Sequence, residues 1–412
     1  MKKVIIAGAG AAGLMAAAAA SEAGKKVILL EKNEKPGKKL FITGKGRCNI
    51  TNACAMPQQL NHIATNAKFL YSAFDHFTNE DIIAFLERQG VKTKTERGQR
   101  VFPVSDHSSD VIGALVRACE ENQVLLRCHA QVKEILLDEE GRFRAVKLKN
   151  GEVIEGDSLV IATGGCSYPS TGSSGDGYAL AKSLGHTIKE PQPSLVPFVM
   201  KEDWCKALMG LTLKNVSIQI KCGKKKIYEG FGELLFTHFG VSGPLVLTGS
   251  TRLGNYKKDL EGGKLTIHLD LKPALDREQL EKRLLREFDT WRNKNISNVA
   301  DQLLPRKMVP VFLREAGIPE EKKVRDITRQ ERRKMIETMK EMVLHIKALR
   351  GFDEAIVTRG GVHVKEVNPA TMESKKIKNV FFAGELLNVD AETGGYNLQI
   401  AWSTGYTAGI NA

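Results

Sequence analysis

The chain lacks the patterns that announce a disulfide scaffold or a zinc site, and it has few aromatic residues. Its seven cysteines, Cys48, Cys54, Cys119, Cys128, Cys166, Cys205 and Cys222, form an odd set in 412 residues with no CxxC. That excludes a disulfide framework and fits a reducing, cytoplasmic compartment. No Cys/His cluster has structural zinc spacing, so no metal is expected. Phe, Trp and Tyr make up only 6% of the chain, which leaves few rings for stacking on nucleic-acid bases. Only one GxGxxG follows a strand pattern. With 42% hydrophobic and 26% charged residues the chain is neither disordered nor fibrous, and its length suggests two or three domains.

Glycine and positive charge are what is abundant. The 38 glycines cluster, which points to several places where backbone closely approaches something bulky. Lys+Arg outnumber Asp+Glu by 61 to 48, a formal net charge of +13 that attracts nucleotides, acidic metabolites and nucleic acid without choosing among them.

The amino-terminal run imitates a secretory signal, and Val4 to Ser21 carries no charge. It is mostly Ala and Gly, however, only weakly apolar and well suited to an ordinary helix, so no membrane association is expected. Divided into parts, Val4–Ala7 is a short buried strand, Gly8-Ala9-Gly10-Ala11-Ala12-Gly13 is GxGxxG, and Leu14–Ala23 is a helix ended by Gly24. Val27–Leu30 is a second strand, with Glu31 at its carboxyl end, 18 residues past Gly13, and Lys32 next to it. This is a dinucleotide-binding βαβ unit. Gly8 makes the tight turn, Gly10 lets a pyrophosphate approach, and Gly13 permits close helix–strand packing. The free N–H groups at Ala11, Ala12 and Gly13 then face the phosphates, and Glu31 accepts from ribose hydroxyls.

Three further segments end in the same glycine-rich manner: the strand Ser158–Ala162 before Thr163-Gly164-Gly165, the strand Val380–Ala383 before Gly384-Glu385, and Gly394-Gly395 opening a helix through Tyr396-Asn397-Leu398-Gln399. Together with the AxGAG start they resemble the two-dinucleotide-binding-domain flavoproteins. TGKGRCNITN (43–52), SYPSTGSSGDGY (167–178), GELLFTHFGVSGP (232–244) and AGELLNVDAETGGYNLQIAWSTG (383–405) narrow the likeness. They are similar to the bacterial BaiN/RdsA-type NAD(P)/FAD-dependent oxidoreductases, over about residues 3 to 410. The resemblance implies FAD, with NAD(P)H as a transient co-substrate, and a flavin-dependent oxidoreductase acting on a small organic molecule. It implies that Gly384 clears the backbone, that Glu385 holds the ribityl or pyrophosphate region, and that Asn397, Leu398 and Gln399 face the flavin ring. It also implies that backbone at Val132 passes the adenine.

The 43–52 loop has its own chemistry. Gly44 and Gly46 flank Lys45, and Arg47, Cys48 and Asn49 follow, so cations and flexible backbone lie together, as a phosphate cradle or flavin contact needs. An ordinary basic surface loop is the alternative. Cys48 and Cys54 are spaced C-x5-C, whereas the superfamily's disulfide reductases carry C-x4-C, so a cofactor-loop residue and an incidental thiol are expected.

The expected architecture is α/β: a Rossmann-like FAD-binding domain (1–190 and 350–412) interrupted by a β-barrel and a small helical domain. The barrel or sandwich is expected over 191–271, completed by residues near 345–360, and the helical insert over 272–348. Pro191, Pro193 and Pro197 read as a linker, and 131–136 with 145–148 as a hairpin. Met335, Met339, Met342, Val343 and Ile346 read as one helix face, with Thr328 and Glu331 as a capping box. Residues 272–350 hold 20 Lys+Arg against 13 Asp+Glu; with the KCGKKK run this suits either RNA, as in a tRNA-modifying flavoenzyme, or a solvated basic face. A non-catalytic flavin-carrying redox sensor is a further alternative. The oligomeric state is not legible. Tyr168, His238 and Arg359 are candidate catalytic groups near the ring. A ring cap, a buried core histidine and a phosphate contact are their ordinary alternatives.

Overall fold

Val4 to Ala7 have no polar face to offer water, so their strand must be covered on both sides. In the computed structural model, which describes residues 1–412, Lys3–Ala7 (β1) is the middle of a five-stranded sheet. The order is Val380–Phe382, Ser158–Ile161, β1, Lys26–Leu30 (β2), Leu125–Arg127, and every pairing is parallel. All five carboxyl ends therefore lie along one edge.

Between β1 and β2 runs the helix Ala11–Glu22 (α1), buried from Ala12 to Ser21. Its alanines do more than favour helix. The last helix, Tyr396–Asn411, carries Gly405 and Gly409, and a Cβ on either would stand 2.4 Å from a carbonyl oxygen of α1, Ala12 O and Ala16 O respectively. The small residues let two backbones meet at a distance no larger side chain allows.

The chain divides into two units, Met1–Ser194 with Gly351–Ala412, and Leu195–Arg350. Within the first, Ile188–Ser194 is not a linker: it pairs antiparallel with Val357–Val362. Its register shifts between Lys189 and Gln192, the irregularity in which Pro191 is accommodated. Val132–Leu137 and Phe143–Leu148 form the expected hairpin, extended by Val153–Glu155.

The second unit is a closed six-stranded barrel with helices. Around it run Phe198–Met200, Gly240–Ser242, Lys225–Phe236, Thr212–Cys222, Leu265–Asp270 and Met342–Leu349, the last pairing back with the first. The helix Arg329–Lys340 starts at the Thr328–Glu331 capping box as expected, but it does not continue through Ile346. Met342, Leu344 and Ile346 are buried while Val343, His345 and Lys347 are exposed, a two-residue period. The apolar set 335, 339, 342, 343, 346 satisfies a helical period as well, and closure of the barrel decides between them. No helix is long and apolar enough to cross a membrane.

Glu366 fastens the turn before the last sheet strand. Its carboxylate accepts from Thr187 N and Thr187 Oγ1, both at 2.8 Å, and pairs with Lys376 at 2.9 Å. Burial alone would raise its pKa; these donors and the Lys376 charge instead bring it down to about 2. The folded value is below the ordinary 4.5, so its stabilisation is complete above about 4.5 and is lost as pH falls towards 2. Thermal midpoints of wild type and Glu366→Gln should therefore converge across that interval. Parallel curves would show that the carboxylate does not matter to acid stability.

Candidate functional site

Glycine dictates the first turn of the site. Gly8 has φ +102°, and a Cβ there would stand 2.6 Å from Ala162 O; a Cβ on Gly13 would stand 1.8 Å from Gly8 O. These two fix the close packing of β1, α1 and the strand Ser158–Ile161. Gly10 differs: it is the extended N-cap residue of α1, with no side-chain cap and nothing within 4 Å of a Cβ. The uncapped N–H groups of the first turn therefore open onto free space, where the helix dipole favours an anion.

That space belongs to a long, partly open cleft along the carboxyl edge of the sheet, about 1360 Å³ when the space open to solvent is included. Glu31, after β2, and Glu385, after the strand Val380–Phe382, both line it. Their strands stand three intervals apart in the sheet, about 14 Å at ~4.8 Å per interval.

Glu31 is 7% exposed, and its carboxylate accepts from Ala9 N (2.9 Å), Asn33 N (2.9 Å) and Asn33 Nδ2 (2.7 Å). Three donors from two chain segments hold it rigidly at the strand end. Glu31→Ala would strand buried N–H groups at about 1–3 kcal/mol of stability. It should also weaken dinucleotide binding about tenfold or more, read by equilibrium dialysis; unchanged affinity would remove Glu31 from the site. Lys32 pairs with Asp176 at 2.7 Å, and Gln131 Nε2 donates to the same carboxylate at 2.9 Å, closing this end.

At the other end Glu385 Oε1 accepts from Ser167 Oγ and Thr358 N, both at 2.8 Å, while Oε2 pairs with Lys39 at 2.6 Å. Lys39 also donates to Ser167 Oγ. The Thr163 hydroxyl, in the cleft wall, is buried without a partner.

Of the residues singled out from the sequence, Gly8, Gly10, Ala11, Ala12, Glu31, Lys32, Val132, Thr163, Gly164, Glu385, Asn397 and Leu398 line the cleft. Gly13 and Gly384 act one layer behind, through packing; a Cβ on Gly384 would stand 2.7 Å from Ala12 Cβ. The phosphate-cradle reading of Arg47 is corrected. Its guanidinium pairs with Glu96 (2.5 Å) and Asp106 (2.7 Å) and lies 4.2 Å above the Phe102 ring.

Thr43, at the head of that loop, lines the cleft, whereas Gly44, Cys48 and Asn49 are structural. A Cβ on Gly44, at φ +62°, would stand 2.9 Å from Asn49 N; the Asn49 side-chain amide, turned with its nitrogen towards Thr51 O and Val101 O, donates to both and accepts from Gly395 N. Cys48 is fully buried, its thiol pushed up to about 12 by burial, and burial also raises Cys54; both are free. Gln399 turns into the core, bonding Thr51 Oγ1, Phe77 O and Ser403 Oγ.

Among the catalytic candidates, Tyr168 holds a left-handed backbone (φ 51°) tied to Phe352 O, and burial, then Glu354, raise its pKa. Arg359 lies half-buried opposite Gln192. Neither lines the cleft. His238 belongs to the second unit, exposed and edge-on to Phe239 at 4.9 Å. Sequence reading missed Lys39, Asn33 and Asp176. For Lys39 the only signal is a basic pair after Pro36-Gly37, overshadowed by Lys45 and Arg47.

The parallel sheet, the bare helix start and the long cleft at the strand ends define a Rossmann-type dinucleotide protein. The chain belongs to the HI0933-like protein family, whose Rossmann-domain description matches residues 2–411. It is 32% identical to the ribosomal RNA dihydrouridine synthase of Haemophilus influenzae, over 99% of this chain and 97% of that one. It is also 32% identical to the 3-dehydro-bile acid delta(4,6)-reductase of Clostridium scindens, over 99% and 98%. Among solved structures, the 3-ketosteroid-delta4-(5alpha)-dehydrogenase of Rhodococcus jostii shares the fold at TM-score 0.54 and 16% identity, over 100% of this chain and 96% of that one. The chain is an oxidoreductase of a flavoprotein family.

Proposed function

We propose that this chain binds FAD and reduces a carbon–carbon double bond conjugated to a carbonyl. The supporting geometry is one cleft that joins an uncapped helix start, a rigid carboxylate at each end and a partnerless Thr163 hydroxyl, the donors and acceptors a dinucleotide of that length needs. Glu31 would take the adenosine ribose, the α1 amino terminus the pyrophosphate, and Glu385 with Lys39 the ribityl side. Asn397 and Leu398, at the start of the last helix, would meet the ring. Bound there, the flavin supplies a hydride from N5, replenished by NAD(P)H as a transient co-substrate.

The reaction class comes from the two relatives. Dihydrouridine is uridine with its ring double bond saturated beside a carbonyl, and a delta(4,6)-reductase of a 3-dehydro bile acid saturates double bonds beside a ketone.

Charge favours a base within RNA over a free small molecule. Leu195–Arg350 holds 31 Lys+Arg against 20 Asp+Glu, net +11, while the rest of the chain holds 30 against 28, net +2. A small enone has no use for such a segregated field, whereas an RNA backbone does. The test is anaerobic incubation with NADH or NADPH and either transcribed ribosomal RNA or a 3-oxo-4-ene steroid. RNA that gains two hydrogens on one uracil supports this reading. Steroid reduction alone decides for the small molecule, and reduction of neither refutes the reaction class.

A further inference from the structure

The short helix Lys38–Ile42 forms part of the cleft rim. Lys38, Lys39 and Leu40 line the cleft, and so does Thr43 just past the helix end. Phe41 and Ile42, between them, do not; they stand 51% and 39% exposed. The backbone beneath them is fixed. Phe41 N donates to Gly37 O at 2.8 Å, and Phe41 O accepts from Ser108 Oγ at 2.6 Å. Ser108 N also donates to Gly46 O at 2.8 Å, and Asp106 holds Arg47 at 2.7 Å, so the segment 104–108 runs along the same rim. It adds Val104, 53% exposed. One exposed apolar residue is ordinary, but three on one rim mark a contact surface.

Charge narrows the choice of partner. Six cations stand between Lys32 and Arg47, and four have carboxylate partners: Lys32 with Asp176, Lys38 with Glu34, Lys39 with Glu385, and Arg47 with Glu96 and Asp106. Lys35 and Lys45 are exposed and in no ion pair. The Lys35 ammonium lies 5.6 Å from the Phe41 ring centroid, over the ring. Lys45 directly precedes Gly46, so both ammonium groups belong to the segment that presents Phe41. An apolar protein contact would leave these two charges unanswered. A single RNA strand answers both features, with phosphates for the ammonium groups and a base for the ring.

We propose that Phe41 is a stacking platform for a nucleobase of the RNA strand flanking the target uracil, with Lys35 and Lys45 as its phosphate contacts; the assignment rests on the RNA reading above. An enzyme that works on a base takes it out of its stack and holds the neighbouring nucleotides. Those neighbours must cross the rim of the cleft, and Phe41 replaces the stacking they lose there.

The experiment measures binding of an end-labelled, uridine-rich single-stranded RNA to the FAD-loaded protein by fluorescence anisotropy. Phe41→Ala and Phe41→Leu should each weaken binding about tenfold, because leucine keeps the apolar contact but has no π face. Phe41→Trp should bind as tightly as wild type, and RNA should quench its added indole emission. Lys35→Gln combined with Lys45→Gln should lower the salt slope by about 0.7 per lysine. FAD content and thermal midpoint, read in every variant, report on folding and should match wild type at these exposed positions. Unchanged RNA affinity in Phe41→Ala overturns the platform alone and leaves the patch to a protein partner. Wild-type affinity in Phe41→Leu overturns stacking as well. A wild type that reduces a 3-oxo-4-ene steroid but does not bind the RNA overturns the RNA reading together with the platform.

Discussion

Gly10→Asp is expected to make the cofactor-free protein more stable and to abolish its hold on FAD. Gly10 has φ −83° and ψ −167°, an extended geometry that any residue adopts, and a Cβ there meets nothing within 4 Å. An aspartate at this N-cap would accept from the bare N–H groups of the first turn, a gain of roughly a few tenths of a kcal/mol over the glycine now there. The same carboxylate would then occupy the anion position and repel a pyrophosphate. A loss of about 100-fold or more in FAD affinity corresponds to about 3 kcal/mol. Opposite signs in thermal midpoint and cofactor affinity distinguish this from ordinary damage. Gly13→Ala is the control: with 1.8 Å to Gly8 O it should lose folding and cofactor together. A Gly10→Asp protein that stays yellow would move the pyrophosphate away from α1.

The second large effect concerns the polyanion. The hairpin between the barrel strands Thr212–Cys222 and Lys225–Phe236 exposes Lys224, Lys225 and Lys226, and Phe231, 60% exposed on the second strand, offers a face for a base. Reversing the three lysines to Glu lowers the net charge of Leu195–Arg350 from +11 to +5. If each contacts a phosphate of a single-stranded segment, the slope of log affinity against log salt should fall in magnitude by about 0.7 per lysine. Flavin reduction by NAD(P)H should be untouched, because the cleft residues all lie in Met1–Ser194 and Gly351–Ala412. Unchanged RNA affinity and salt slope in the triple variant would show that this hairpin is merely solvated, the ordinary state of exposed lysines.

What the sequence revealed was what glycine geometry and strand order dictate. Gly8, Gly10 and Gly13 leave the backbone little choice, and the residue after a buried parallel strand lies at the carboxyl edge, so the cleft position of Glu31 is legible from the sequence itself, while that of Glu385 comes from the family resemblance. Side chains whose partners are remote were not. Lys39 meets Glu385 across 346 positions, and Arg47 is claimed by Glu96 and Asp106, 49 and 59 positions away. Spacing cannot tell such an arginine from a phosphate ligand. In Met342–Leu349 two periodicities fit one string, and pairing with the distant barrel strands Phe198–Met200 and Leu265–Asp270 chooses between them. The alanines of α1 were read as helix formers; their further role becomes visible only beside Gly405 and Gly409.

Flavin analysis of the protein as purified tests the central claim most directly. One FAD per chain, released on heat denaturation and absent from Gly10→Asp, is the predicted result. Release of FMN, or a colourless wild type that takes up no FAD, would contradict it.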